Sequence, residues 1–337
     1  MDPEVKGAPP ESGQSIPTAS HLIAFVVLTF LLSWPIWYAS GVLLMITEYS
    51  LDSRWLIAQV GVLAPSLSAL LLSALIGRRL RWNALRILLI QLLPLAVPGL
   101  LISSNGPSGV EALDSISAGL TLLIALVVVF FFSSFNRSLL LPATGTRPGL
   151  ADTATLCLSL FLFPALFLGA WVLVNSLGGS FTISSGSDGP VAFLRLLVTA
   201  FAFNLMLGGS LGEEVGWRGF FLPALLARYG PLMSSLVLGI VWALWHLPVD
   251  WAGGFGFGGP AAVIFRIVWT IPLTIIFTWF YLRSRGSLLV ALFLHTSINV
   301  LGALGFSMIA QATGVLTLIN LLVAGWIVYR WSARNHQ

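Results

Sequence analysis

From His21 to Ile46 the chain carries no Asp, Glu, Lys or Arg, and the same is true from Thr153 to Leu177. Uncharged apolar runs of this length match what a helix needs to cross a bilayer core, and they cannot form the surface of a water-soluble domain. Of the 337 residues, 57% are hydrophobic and 8% charged, where a soluble domain carries about 25% charge. The runs are too long for barrel strands. The expectation is an all-α polytopic membrane protein: one unit, a bundle of about ten transmembrane helices.

The spans are expected at about 21–46, 55–76, 87–103, 115–135, 153–177, from 191 into the acidic stretch at 213, 231–251, 262–282, 287–304 and 307–329. The loops between them alternate in charge. Arg78, Arg79, Arg81, Arg86, Arg137, Arg147, Arg228, Arg283, Arg285, Arg330 and Arg334 fall on one side. Glu48, Asp52, Glu111, Asp114, Asp188 and Asp250 fall on the other, with Arg54 as the exception. The positive-inside rule puts the arginine side, and with ten spans both termini, in the cytoplasm. The arginines thus read as topology and not as a nucleic-acid surface, although the net charge is +4. Residues 1–20 read as a disordered N-terminal tail. They do not resemble the basic start of a signal peptide, so the first run is expected to remain as an uncleaved span. Residues 21–180 hold the N-terminal transmembrane helices. Residues 306–337 hold the last helix and a short cytoplasmic tail. The glycine-rich stretch Gly253–Gly259 reads as a linker, since no Lys-Ser/Thr follows it as in a phosphate loop.

Charge returns abruptly at Gly212-Glu213-Glu214-Val215-Gly216-Trp217-Arg218-Gly219-Phe220-Phe221-Leu222-Pro223. Each carboxylate or guanidinium at the bilayer centre costs roughly 2.5–3.5 kcal/mol on insertion scales. Three such groups mark a functional centre unless they sit as solvated charges at the headgroup level. On a helix, Glu214 and Arg218 are at i and i+4 in the favourable order for an ion pair. Glu213 points about 100° away and is expected to lack a local partner. A carboxylate in that position suits general acid–base work.

Hairpin geometry ties this stretch to a histidine. If the sixth helix runs on to Arg228, with Pro223 at most kinking it, the turn is Tyr229-Gly230. Glu213 and His246 then lie at equal path lengths from it, roughly 24 Å deep at ~1.5 Å rise per residue. So long a helix needs tilt, protrusion or a break at Gly208-Gly209. Trp242 precedes His246 by one turn and is placed to pack on its ring. His295 and Asn299, also at i and i+4, project to one spot. Taken singly, each of these has a structural reading as a core hydrogen bond or a polar contact between helices. The chain has just four histidines, His21, His246, His295 and His336, and one cysteine, Cys157. That count rules out an internal disulfide and a thiolate zinc site.

The pattern Glu-Glu-x-x-x-Arg, aromatic-x-x-x-His, His-x-x-x-Asn resembles the CAAX-protease and bacteriocin-processing family of intramembrane endopeptidases, related to the type II CAAX prenyl endopeptidase. The flanks Arg218-Gly219-Phe220-Phe221-Leu222-Pro223 and Arg285-Gly286-Ser287-Leu288 agree. Trp242 departs from the usual Phe. The resemblance makes residues 190–305 a catalytic core. It implies that Glu213 and His246 activate water, that His295 and Asn299 stabilise the oxyanion, and that Glu214 and Arg218 hold the site together. It implies a membrane-associated protein or peptide substrate, with a prenylated one among the options. The poor match outside the core favours a prokaryotic plasma membrane as the location. The family has also been described as metal-dependent, so a zinc site of His246, His295 and Glu213 is the alternative to a metal-free glutamate mechanism. The absence of a His-Glu-x-x-His helix favours the metal-free form. Two other classes stay open. One is a proton-coupled transporter, against which the lack of an internal repeat counts. The other is a non-catalytic immunity or scaffold factor.

Overall fold

The computed structural model describes residues 17–40, 59–76, 153–178, 209–252, 258–303 and 310–334, with isolated helical positions at 89, 127 and between 194 and 205. The spans expected at 87–103 and 115–135, most of the N-terminal tail and most of the glycine-rich stretch lie outside the described residues. Within them every regular element is helical. The helices are α1 (Ala19–Ser40), α2 (Ala64–Leu75), α3 (Thr153–Ser176), α4 (Ser210–Gly216), α5 (Leu222–Leu226), α6 (Pro231–Trp245), α7 (Leu247–Trp251), α8 (Gly259–Arg283), α9 (Leu288–Ala303) and α10 (Ala310–Arg334). A wider π turn, Trp217–Phe221, joins α4 to α5.

Four segments are long and apolar enough to cross a membrane: Ala19–Ala39, Ala154–Ser176, Gly259–Arg283 and Gly314–Ala333. Helices α2, α6 and α9 contain shorter apolar stretches. The chain is a multi-pass membrane protein. Exposed apolar side chains such as Ile23, Leu31, Phe161, Leu168, Ile264 and Leu322 clothe the long helices, as contact with lipid tails requires.

Three features of the backbone position the polar centre. The first is Gly209, with φ +107°, a conformation that favours glycine. It is the residue from which α4 starts; whether a longer helix breaks at Gly208-Gly209 lies outside the described residues. The second is the π turn, whose backbone N–H of Leu222 reaches back five residues to the Trp217 carbonyl. The third is a break at His246. The run 231–251, expected as one helix, is two. Pro248 has no N–H, and its ring conflicts with the carbonyl four residues back. Helix α6 therefore stops at Trp245 and α7 restarts at Leu247.

The helices around this centre meet at glycines. Gly212 and Gly216 lie against the start of α2. A Cβ at Gly212 would come within 2.9 Å of the Val62 carbonyl oxygen, and one at Gly216 would overlap the Pro65 backbone. The acidic stretch is therefore also a small-xxx-small contact, with Glu213 and Glu214 between the two glycines. Gly239 does the same where α6 crosses α8, with a Cβ position 3.1 Å from Ile271 Cα. Helix α9 packs on α3 and α4, and α8 on α6 and α10. Phe25 of α1 stacks on Phe221 at 5.1 Å and meets Trp217 edge-on at 5.4 Å. The first helix thus belongs to the same core as the acidic stretch.

Candidate active site

Glu214 and Arg218 form the expected ion pair, 2.7 Å from Oε1 to Nη1, with both side chains fully buried. A buried pair is tolerable only when its geometry is good and other groups satisfy the charges. Here the guanidinium lies between two aromatic rings, 4.6 Å from the centroid of Trp242 and 4.3 Å from that of Phe277, where the negative faces of the rings favour a cation. Glu214 Oε1 also accepts a hydrogen bond from His295 Nδ1 at 2.7 Å. One carboxylate oxygen thus binds the arginine on its own helix and the histidine of α9.

Glu213 is buried as well, at 4% exposure, but it is not unpartnered as the spacing suggested. Its Oε2 accepts hydrogen bonds from Trp217 Nε1 at 3.3 Å and Trp242 Nε1 at 2.6 Å. Its Oε1 faces His295 Nε2 at 3.9 Å. Two indoles occupy one oxygen, and the other is turned towards the imidazole. Gly209 makes room for that oxygen: a Cβ there would lie 2.6 Å from Glu213 Oε1.

His246 stands at the joint between α6 and α7. Its Nδ1 donates to the Trp242 carbonyl at 2.8 Å. A carbonyl can only accept, so the proton is on Nδ1 and a neutral ring carries its lone pair on Nε2. The contact that Glu213 makes across the hairpin is with Trp242, one turn short of His246. The π turn spreads an extra residue around the helix and shortens that arm. Trp242 touches the whole site: its ring centroid is 6.1 Å from that of His246 and 5.4 Å from that of His295. Asn299 is half-buried and follows His295 by one turn on α9. The α9 helix is pinned to the start of α4 by Thr296 Oγ1 donating to Ser210 Oγ at 3.0 Å.

Of the sequence candidates, Glu213, Glu214, Arg218, Trp242 and His295 form one contact network. His246 joins it through Trp242. Sequence reasoning missed Trp217, although it stands to Glu213 as Arg218 stands to Glu214, at i+4. It also missed Phe277, which no spacing marks. Asp250, counted among the acidic loop residues, is fully buried and held by Arg266 of α8 through two bonds of 2.9 and 2.7 Å. A short α7 folded back on α8 takes it out of water. The residues of the zinc alternative, His246, His295 and Glu213, do not gather into a set of three able to hold a metal ion, and no other such set exists among the described residues.

The structure is thus a helical membrane protein with a buried, hydrogen-bonded glutamate–histidine–arginine centre. Residues 194–301, which include every candidate above, match the family described as Type II CAAX prenyl endopeptidase Rce1-like. The chain is also 30% identical over 167 residues to "CAAX prenyl protease 2" of Methanococcus maripaludis, an alignment covering 45% of this chain and 56% of that protein. The match thus spans little more than half of the relative's length. Both findings agree with the resemblance read from the motifs.

Proposed function

We propose that this protein is an intramembrane endopeptidase of the metal-free glutamate type, acting on a membrane-associated protein or peptide. The observation that carries the reading is the unequal placement of two adjacent buried glutamates. Glu214 is tied to Arg218 and His295, while Glu213 keeps one oxygen facing the imidazole.

In this reading a water lies at Glu213 Oε1, with His246 as the second proton acceptor of the site. It loses a proton to Glu213 as its oxygen bonds to the scissile carbonyl carbon. The carbonyl oxygen becomes an oxyanion held by His295 and the Asn299 side chain. The tetrahedral centre then collapses: the C–N bond breaks and the proton passes to the leaving amine. The products are a carboxylic acid, which carries the second proton of the water, and an amine; that proton then passes between them to give carboxylate and ammonium, and the general base is restored. Because His295 Nδ1 already donates to Glu214, an oxyanion bond from Nε2 requires the imidazolium. The charge balance of the site allows it, since two carboxylates, one guanidinium and one imidazolium sum to zero. A neutral site is the form that low dielectric favours.

The same reading places about ten spans in the bilayer with both termini cytoplasmic, on the evidence of the arginine loops. It makes residues 190–305 the catalytic core. The relative's printed name makes a C-terminal, prenylated protein tail the first substrate class to try. The test is mass spectrometry of two membrane-tethered reporter peptides, identical except for the prenyl group, after incubation with the purified protein. A new carboxyl terminus at one internal bond supports the reading, and the two peptides together show whether the lipid is required. Two intact peptides under conditions where the Methanococcus maripaludis protein cuts them would count against it.

A further inference from the structure

Trp245, the residue before His246, is gripped at both its ends by two consecutive residues of α1. Its indole Nε1 donates to Ser33 Oγ at 2.7 Å, and its backbone carbonyl accepts from the Trp34 indole Nε1 at 3.0 Å. The last carbonyls of a helix have no partner within it. At the end of α6, three of them are accounted for. Trp242 is bound by the His246 ring, Ala243 by the His246 backbone N–H, and Trp245 by α1.

Ser33 is itself fixed. Its hydroxyl lies 2.9 Å from the carbonyl oxygens of both Thr29 and Gly61, so it donates to one of them while accepting from Trp245. The Trp245 ring is 1% exposed. It packs against Trp37 at 4.8 Å, Trp217 at 5.9 Å and the His246 ring, edge-on, at 4.9 Å. A wall of the histidine's environment is therefore set by a tryptophan whose two polar groups are both held by α1. Helix α1 lies outside the residues matched by the Rce1-like family.

We propose that Ser33 and Trp34 are positioning residues for His246. Acting through Trp245, they fix the angle of the α6–α7 joint and the face that the imidazole presents to the reacting centre. The assignment deepens the peptidase reading and rests on it for its kinetic arm alone. Removing either hydrogen bond lets the joint and the ring move without altering any group that touches substrate. Small displacements of a catalytic group cost roughly up to a hundredfold in rate, and the loss falls on turnover.

The test uses the full chain in detergent with ring-15N-labelled histidine, the His246 signals being assigned by their loss in His246→Gln. Ser33→Ala removes the hydroxyl that accepts from Trp245 and donates to a carbonyl of Thr29 or Gly61, and Trp34→Phe removes the indole N–H that binds the Trp245 carbonyl while keeping an aromatic ring. Ser33→Thr keeps the hydroxyl, and Ile23→Ala changes an exposed residue of the same helix. The expected result is displaced or broadened His246 ring signals in Ser33→Ala and Trp34→Phe, with signals like those of the unsubstituted chain in Ser33→Thr and Ile23→Ala. In the cleavage assay kcat falls by roughly ten- to a hundredfold with KM held within about twofold. Unchanged His246 signals in both Ser33→Ala and Trp34→Phe overturn the proposal, whatever the kinetics. Displaced signals in a chain that cuts no peptide uphold the positioning role and overturn the peptidase reading instead. If Ser33→Ala fails to fold, Trp34→Phe alone decides.

Discussion

The imidazole of His295 is bonded to Glu214 and not to Glu213: Nδ1 lies 2.7 Å from Glu214 Oε1, while Nε2 stands 3.9 Å from Glu213 Oε1. Two neighbouring carboxylates thus differ in kind, one a structural acceptor and the other open on one side. Their amide variants should separate these roles. Glu214→Gln leaves the buried Arg218 cation without its counter-ion and should cost about 3–5 kcal/mol of stability, seen as a lowered melting temperature in detergent. Glu213→Gln removes no ion pair with Arg218 and keeps an acceptor for the indoles. It should melt within a few degrees of the unsubstituted chain and lose cleavage. Equal destabilisation by the two changes would contradict the division.

Trp242 supplies something that a phenylalanine could not, an N–H on the Glu213 carboxylate at 2.6 Å. Trp242→Phe keeps a ring against Arg218 and His295 and removes that one bond. A hydrogen bond to a charged group is worth about 1.5–3 kcal/mol. Turnover should fall by roughly ten- to a hundredfold in a protein that still folds, and Trp242→Ala should fold less well. Full turnover in Trp242→Phe would show that the indole N–H is idle and that Trp217 suffices to hold Glu213.

Gly209 and Gly216 should fail in different ways. A methyl at Gly216 meets the Pro65 backbone, which cannot rotate aside. Gly216→Ala should therefore lose about 1–3 kcal/mol through overpacking between α2 and α4, read as a lower melting temperature. A methyl at Gly209 meets the Glu213 carboxylate and also strains a φ of +107°. Gly209→Ala should lose activity out of proportion to its stability. The comparison is between cleavage rate and melting temperature in the same two preparations.

The Asp250–Arg266 pair ties α7, just beyond His246, to α8. Asp250 is fully buried, whereas the Arg266 side chain is 17% exposed, so water can reach the cation once its partner is gone. Asp250→Ala should thus cost roughly 2–3 kcal/mol, below the range for a fully buried pair. The double variant Asp250→Ala/Arg266→Met should recover part of it. Strict additivity of the two single changes would mean that the pair carries no coupling.

Legibility in the sequence followed the range of the forces involved. Helices are local, so the apolar runs placed α3, α8 and α9 to within a few residues, and i,i+4 spacing found Glu214–Arg218. The same rule applied to Glu213 gives Trp217, but an indole in an apolar run reads first as packing and not as a donor. The break at His246 was available in Pro248, which acts on the turn before it. The two glycines flanking Glu213-Glu214 likewise spelled a close helix contact, although nothing in the spacing says that its partner is Pro65, far away in the chain. Contacts across such separations are where pattern fails: Trp245 to Ser33, Arg266 to Asp250 and Arg218 to Phe277 depend on which helices become neighbours. Charge alternation placed Asp250 among the acidic loop residues because it counts charges by position and does not see a helix folding back.

The measurement that bears most directly on the central claim is cleavage of a membrane-tethered reporter peptide by the purified protein, with and without a zinc chelator, beside Glu213→Ala. The account predicts cleavage that survives the chelator and disappears in Glu213→Ala. Cleavage that continues undiminished in Glu213→Ala would contradict it, and cleavage abolished by the chelator would assign the chemistry to a metal ion.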